Sequence, residues 1–170
     1  MEIRPLREDD DRSSFRSGDP DLDRFFARYA GQNQFRHHLG TTWVAVREET
    51  LVGFATVAAA HLELTDLPAT SRGRLPAYPL PVLRLARVAV AADAQGMGVG
   101  RALLRGVFTI ARQMASNVGC VGVVVDAKAE AESFYASLGF VALEVRQGAS
   151  GARPEPRAMF LALKGIPRMA

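Results

Sequence analysis

Only one cysteine, Cys120, occurs in the 170 residues, so the chain cannot close an internal disulfide. So little cysteine fits a reducing cytoplasm, where we expect the protein to work. Cys120 lies in the apolar run GCVGVVV, which suits a buried, inert thiol better than a nucleophile. No apolar stretch approaches the roughly 20 residues of a membrane span, so no membrane partner is expected. The acidic start MEIRPLREDDDR lacks the hydrophobic segment of a secretory signal. There is no internal repeat and no low-complexity linker. Lysine is almost missing: Lys128 and Lys164 are the two in the chain, and the other basic residues are arginines.

What is present is an ordinary globular composition, 48% apolar and 23% charged, of a length that suits one domain over residues 1–170. The net charge of +3 is unevenly spread. Residues 1–30 hold eight acids and six bases, while the remainder holds 15 Lys+Arg against 10 Asp+Glu. Arginine's planar fork suits phosphate, so the body of the chain hints at a polyanionic partner, although a GC-rich genome writes arginine for lysine as well.

MEIRPL reads as a strand, and TTWVAVREETLVGFATVAAA as a hairpin of strands 42–46 and 52–59 turning at REET. Between them Asp19 is placed to cap a helix with Pro20 at its first position, and Leu22, Phe25, Phe26 and Tyr29 recur at helical spacing. HLELTDLPATSRGRLPAYPLPV is long and proline-rich, the mark of a functional or mobile loop. A strand over 83–90 follows, then AQGMGVGR, then a helix over about 100–117. Its apolar stripe is Leu103, Leu104, Val107, Phe108, Ala111, Met114 and Ala115, and Gly119 is its stop. VGVVVDA is a buried strand, KAEAESFYASL a short helix closed by Gly139, and FVALEV and AMFLALK two last strands separated by RQGASGARPEPR. Alternating elements in the middle and hairpins at the ends imply an α+β fold with a mixed sheet and helices on both faces.

The glycine turn frames the functional question. Glycines opening a helix leave backbone N–H groups bare for an anion. A Walker loop needs Gly-Lys-Ser/Thr, and no lysine is there. A dinucleotide fingerprint needs a third glycine three residues after the second, where Arg101 stands, and the turn is set apart from its strand by AADA. What remains is Gln95-x-x-Gly98-x-Gly100 between a buried strand and an amphipathic helix, with SFYASLGF downstream. This resembles the Gln/Arg-x-x-Gly-x-Gly/Ala signature of the GNAT superfamily of N-acetyltransferases.

The resemblance implies a central, mostly antiparallel twisted sheet in which two parallel strands splay around acetyl-CoA. Gln95, Gly96, Met97, Gly98, Val99, Gly100 and Arg101 then cradle the pyrophosphate of acetyl-CoA, and no metal is called for. A backbone N–H among Val88, Ala89 and Val90 holds the oxyanion, and Tyr135 faces the coenzyme sulfur. Read from the residues alone, Tyr135 sits at the margin of a Phe134–Leu138 stripe, where a core-edge tyrosine is the preferred reading and a polar tip reaching a cleft the alternative. Proton transfer from a phenol near pKa 10 to a thiolate near 8.5 is uphill by roughly 2 kcal/mol, so Tyr135 is expected to donate a hydrogen bond or relay a proton. Where many members carry a coenzyme-contacting asparagine this chain has Lys128, which either reaches a phosphate or sits in solvent.

FRSGDPDLDRFFARYAGQNQ, LPAYPLPVLRLARVAV, VVDAKAEAESFYASLGF and the late MFL extend the likeness to the GNAT toxins of bacterial toxin–antitoxin operons. These acetylate the α-amine of aminoacyl-tRNA and are neutralised by a small DNA-binding antitoxin, here expected to be of ribbon-helix-helix type. A homodimer is expected by the same analogy. An aminoacyl α-amine has a pKa near 8 and hardly needs a general base. His61, Glu63 and Asp66 are candidates for that role, each equally a solvated loop residue. Arg72, Arg74, Arg84, Arg87 and Arg105 offer a phosphate-binding surface for tRNA, or a solvated arginine face. The competing readings are a GNAT acting on a small amine, an antibiotic or a protein N-terminus, and a coenzyme-binding regulatory member without turnover.

Overall fold

The computed structural model describes residues 1–143 and 156–166. Its strands are β1 (Glu2–Pro5), β2 (Thr41–Arg47), β3 (Thr50–Leu62), β4 (Leu80–Val90), β5 (Gly122–Ala127), β6 (Val141–Ala142) and β7 (Arg157–Ala162). Its α-helices are α1 (Pro20–Arg24), α2 (Ala30–Phe35), α3 (Ala69–Arg72), α4 (Val99–Asn117) and α5 (Glu132–Ser137). The strands form one mixed seven-stranded sheet in the order β1-β2-β3-β4-β5-β7-β6, as the α+β reading requires. β2 pairs antiparallel with β1 and β3, and β7 antiparallel with β5 and β6. The neighbours β4 and β5 are joined through α4, the strand–helix–strand connection of a parallel pair.

The chain divides into two compact units, the first made of Met1–Ala58 and Leu85–Thr109. Its core is aromatic: Phe26 stacks on Phe54 with centroids 4.3 Å apart, and Phe15 meets both rings edge-on. The hairpin is longer and tighter than expected, with the turn reduced from REET to Glu48 and Glu49. Both adopt left-handed conformations, φ 49° and 64°. A two-residue hairpin demands such a turn to match strand twist, but it favours Asn-Gly, and an L-residue with a Cβ there costs roughly 1–2 kcal/mol. The ladder also shifts register between Ala45 and Val46, just before Arg47.

Asp19 caps α1 as anticipated, its Oδ1 accepting from the N–H groups of Asp21 and Leu22, with Pro20 leading the helix. The expected stripe then breaks. Phe25–Tyr29 form a π turn in which the Ala30 N–H donates to the Phe25 carbonyl, five residues back. The Phe26 carbonyl, within this turn, accepts from Arg12 Nη1 at 2.7 Å. The extra residue swings Tyr29 off the face of Phe25 and Phe26, so Tyr29 is 44% exposed where regular helical spacing would bury it. Leu22 is only half-buried.

The second unit is Ala59–Arg84 with the residues from Ile110 onward. Leu67, Leu80, Val82, Val124, Leu143 and Phe160 make its core. Much of the supposed proline-rich loop is regular here: β3 runs on to Leu62, β4 starts at Leu80, and a 3-10 turn (Leu64–Asp66) and α3 fill the interval. Apolar Leu67 and Leu80 anchor the segment, both buried. Gly119 ends α4 as expected, in a left-handed conformation with its N–H on the Met114 carbonyl. Cys120 is buried, its Sγ donating to the Gly122 carbonyl. The last residues of FVALEV and most of RQGASGARPEPR lie outside the described residues, and AMFLALK yields β7 followed by a 3-10 turn at Leu163–Gly165.

Candidate active site

The glycine turn belongs to the first unit and is built from the backbone upward. β4 ends at Val90, a 3-10 turn at Ala92–Ala94 follows, and α4 begins at Val99, whose side chain is buried. The first bond of the helical ladder runs from the Ala102 N–H to the Gly98 carbonyl. The N–H groups of Val99 and Gly100 therefore precede the ladder at the start of a 19-residue helix, where its dipole favours negative charge. Gly96 and Gly98 hold φ of +80° and +82°, and a Cβ on either would meet nothing within 4 Å. The glycines serve backbone shape, and the space over them is open. That suits a pyrophosphate of acetyl-CoA.

Two contacts fix this turn. Gln95 Nε2 donates to the carbonyls of Ser17 (3.0 Å) and Val90 (3.2 Å), bracing the turn against the end of β4 and the segment before α1. Met97, 57% exposed at the apex, accepts through Sδ from both terminal nitrogens of Arg47, at 3.3 and 3.4 Å. Beneath the turn, Gly53 of β3 allows α4 to pack against the sheet: a Cβ there would lie 2.8 Å from Val99 and 3.1 Å from both Leu103 and the Ala89 carbonyl. Sequence reasoning missed Gly53, although a lone glycine within an apolar strand signals close approach of another element.

In β4, Ala89 is buried while Val88 and Val90 are half-buried. A cavity of about 520 Å³ opens beside Ala91–Asp93; Arg4 and Arg16 face Asp10, Asp11 and Glu49 around it, and none of the expected coenzyme-binding residues lines it. Arg4 and Asp10 form a bidentate pair at 2.8 Å, which holds the Asp10 carboxyl below its usual range.

Tyr135 lies in the second unit, and its setting corrects the margin position. It is 4% exposed, the one buried residue of α5, while Phe134 and Leu138 are half-buried. The 3-10 turn Ala129–Ala131 before α5 offsets the simple 100° wheel. The Phe140 N–H returns to the Tyr135 carbonyl, which brings the Phe140 ring edge-on to Tyr135 at 5.4 Å. Burial pushes the phenol up to about 12. Such a group stays protonated across the physiological range.

The other candidates are scattered in their bonding. Glu63 and Asp66 form a capping box on the 3-10 turn, the Asp66 carboxylate accepting from the Glu63 N–H at 2.9 Å, so both already serve a structural purpose. Arg72 donates to the Leu67 carbonyl, and Arg84 pairs with Asp126. Arg74 is exposed in the same unit. In the first unit Arg87 lies 4.0 Å over the Phe25 ring, and Arg101 and Arg105 are exposed on α4. Lys128 is the N-cap residue of the 3-10 turn ahead of α5.

The model of the acetyltransferase (GNAT) domain matches residues 38–142. The chain belongs to the GNAT family. As a GNAT protein it is an N-acetyltransferase that uses acetyl-CoA. It is 33% identical over 138 residues to a tRNA-acetylating toxin of Mycobacterium tuberculosis, covering 81% of this chain and 82% of that one. Among solved structures, AtaT complexed with acetyl-methionyl-tRNAfMet superposes with a TM-score of 0.81 at 25% identity, covering 96% and 95% of the two chains. AtaTR bound with AcCoA gives 0.76 at 25% identity, over 96% and 94%. Among the described residues no helix is long and apolar enough to cross a membrane.

Proposed function

We propose that this GNAT protein is a toxin that acetylates the α-amine of aminoacyl-tRNA and so blocks translation. The observation that carries the reading is the 33% identity to a tRNA-acetylating toxin across four-fifths of both chains. The likeness of the whole fold to AtaT in complex with acetyl-methionyl-tRNAfMet supports it. Residues 1–170 serve as one catalytic domain in the cytoplasm, as a homodimer, held in check by a ribbon-helix-helix antitoxin.

The coenzyme supplies the acetyl group as a thioester whose sulfur leaves as a thiolate. Val99, Gly100 and Arg101 N–H groups hold the pyrophosphate, with Gln95, Gly96, Met97 and Gly98 shaping the cradle. A backbone N–H of Val88–Val90 takes the negative charge that develops on the carbonyl oxygen as the amine attacks. Tyr135 donates a hydrogen bond to the departing sulfur. With the phenol at about 12 and a thiol near 8.5, full proton transfer is uphill by about 5 kcal/mol. The amine's proton therefore leaves to solvent, and no side-chain base is required, consistent with the structural employment of Glu63 and Asp66. Arg74 and Arg105, both exposed, join Arg72, Arg84 and Arg87 in contacting tRNA phosphates.

The test is transfer of radiolabelled acetyl from acetyl-CoA to bulk charged tRNA, with Tyr135→Phe in parallel. Label that appears on charged tRNA and is strongly reduced in the variant supports the reading. Turnover with small amines but none with charged tRNA refutes the toxin assignment and leaves the acetyltransferase.

A further inference from the structure

Arg47 was no part of the expected site, yet it is the side chain laid against the apex of the glycine turn. Both its terminal nitrogens point at Met97 Sδ, 3.3 and 3.4 Å away, across 50 positions of sequence. A thioether is a weak acceptor, so a guanidinium gains little from it. Among the described residues no carboxylate lies within ion-pairing distance of Arg47, in contrast to Arg4, Arg24, Arg84 and Arg157. Its side chain is exposed.

Two local distortions flank it in the hairpin. The register shift between Ala45 and Val46 leaves Val52 of β3 as an extra residue in the ladder, close to Arg47. The Glu48–Glu49 turn, left-handed at both residues, closes the hairpin with Arg47 opposite Thr50. An unstrained loop of three to five residues would meet no such cost, and would leave Arg47 less firmly placed. The space over Gly96 and Gly98, on either side of Met97 in sequence, is open.

We propose that Arg47 is a coenzyme-binding residue: its guanidinium exchanges the Met97 sulfur for a phosphate group of acetyl-CoA and closes over the turn from the β2–β3 hairpin. The inference rests on the reading that the turn binds the coenzyme. The fork geometry of arginine suits a phosphate oxygen pair, which a thioether cannot offer. The phosphate is either the pyrophosphate seated on the helix N-terminus or the 3′-phosphate of the adenosine.

Calorimetric titration with CoA and with 3′-dephospho-CoA, on the wild type, Arg47→Ala and Arg47→Lys, tests this and separates the two sources. Arg47→Ala should raise the Kd for CoA by about 10-fold, the scale of one partly exposed charge-assisted bond, with Arg47→Lys in between. If the wild type loses a similar factor with 3′-dephospho-CoA and Arg47→Ala adds nothing further, the contact is to the 3′-phosphate. Independent, multiplying losses assign it to the pyrophosphate. Equal CoA affinity in the wild type and Arg47→Ala overturns the inference while leaving the turn as the coenzyme site. Absence of CoA binding in the wild type overturns both.

Discussion

The buried phenol of Tyr135 makes stability depend on pH in a range where few other groups report. Its pKa is raised from 10 to about 12 by desolvation, so the folded state keeps the proton that the unfolded chain gives up. Stability is therefore intact below pH 10 and is lost progressively as pH rises toward 12. At pH 11 the unfolded tyrosine is mostly ionised and the folded one mostly neutral. The populations give a loss of about 1.4 kcal/mol there, and the two-unit shift caps it at about 2.7 kcal/mol. Urea unfolding of the wild type and Tyr135→Phe at pH 8, 10 and 11 isolates the effect. Tyr29 and Tyr78 are 44% and 63% exposed and common to both proteins, so they cancel in the difference. The wild type should lose about 1.4 kcal/mol relative to the variant between pH 8 and pH 11. Parallel stabilities across that range would refute the burial argument, and with it the view that Tyr135 donates a hydrogen bond without surrendering its proton.

Two further substitutions probe the frame around the turn. Gly53→Val drives a side chain into Val99 and Leu103, so it should displace the start of α4, cost roughly 1–3 kcal/mol and weaken CoA binding; calorimetry and urea unfolding on one preparation check both. Glu48→Asn with Glu49→Gly supplies the residues that a two-residue hairpin favours, and should raise stability by about 1–2 kcal/mol in urea unfolding.

The sequence made the turn legible because its chemistry is local. Glycine spacing, the preceding buried strand and the following amphipathic helix are all readable within 35 residues, and the Asp19–Pro20 helix start is equally local. Tyr135 was found through its motif, but its burial was misjudged, because it depends on a 3-10 turn and on Phe140 folding back. Tyr29 shares the helical spacing of Phe25 and Phe26 but not their burial for a similar reason: helical periodicity assumes constant pitch, and the π turn at Phe25–Tyr29 breaks it. Gly53 and Arg47 escaped notice because their importance lies in contacts with residues 97 to 103, across a separation no periodicity reports. In the loop over 61–82, proline content suggested irregularity, yet buried Leu67 and Leu80 outweighed it.

The π turn couples two distant positions in a way that a contact map alone would understate. An α-helix covering the same path from Pro20 to Phe35 would need one residue fewer, and the Phe26 carbonyl would then lie differently against Arg12. Arg12 donates to that carbonyl, and its side chain in turn lies so close to Gly31 that a methyl group there would sit 2.9 Å from its Nη2. Arg12, Gly31 and the inserted residue are therefore one unit of inheritance. Substitution of Arg12 removes the bond to the Phe26 carbonyl, and a side chain at Gly31 must displace the guanidinium, so a change at either position is felt at the other.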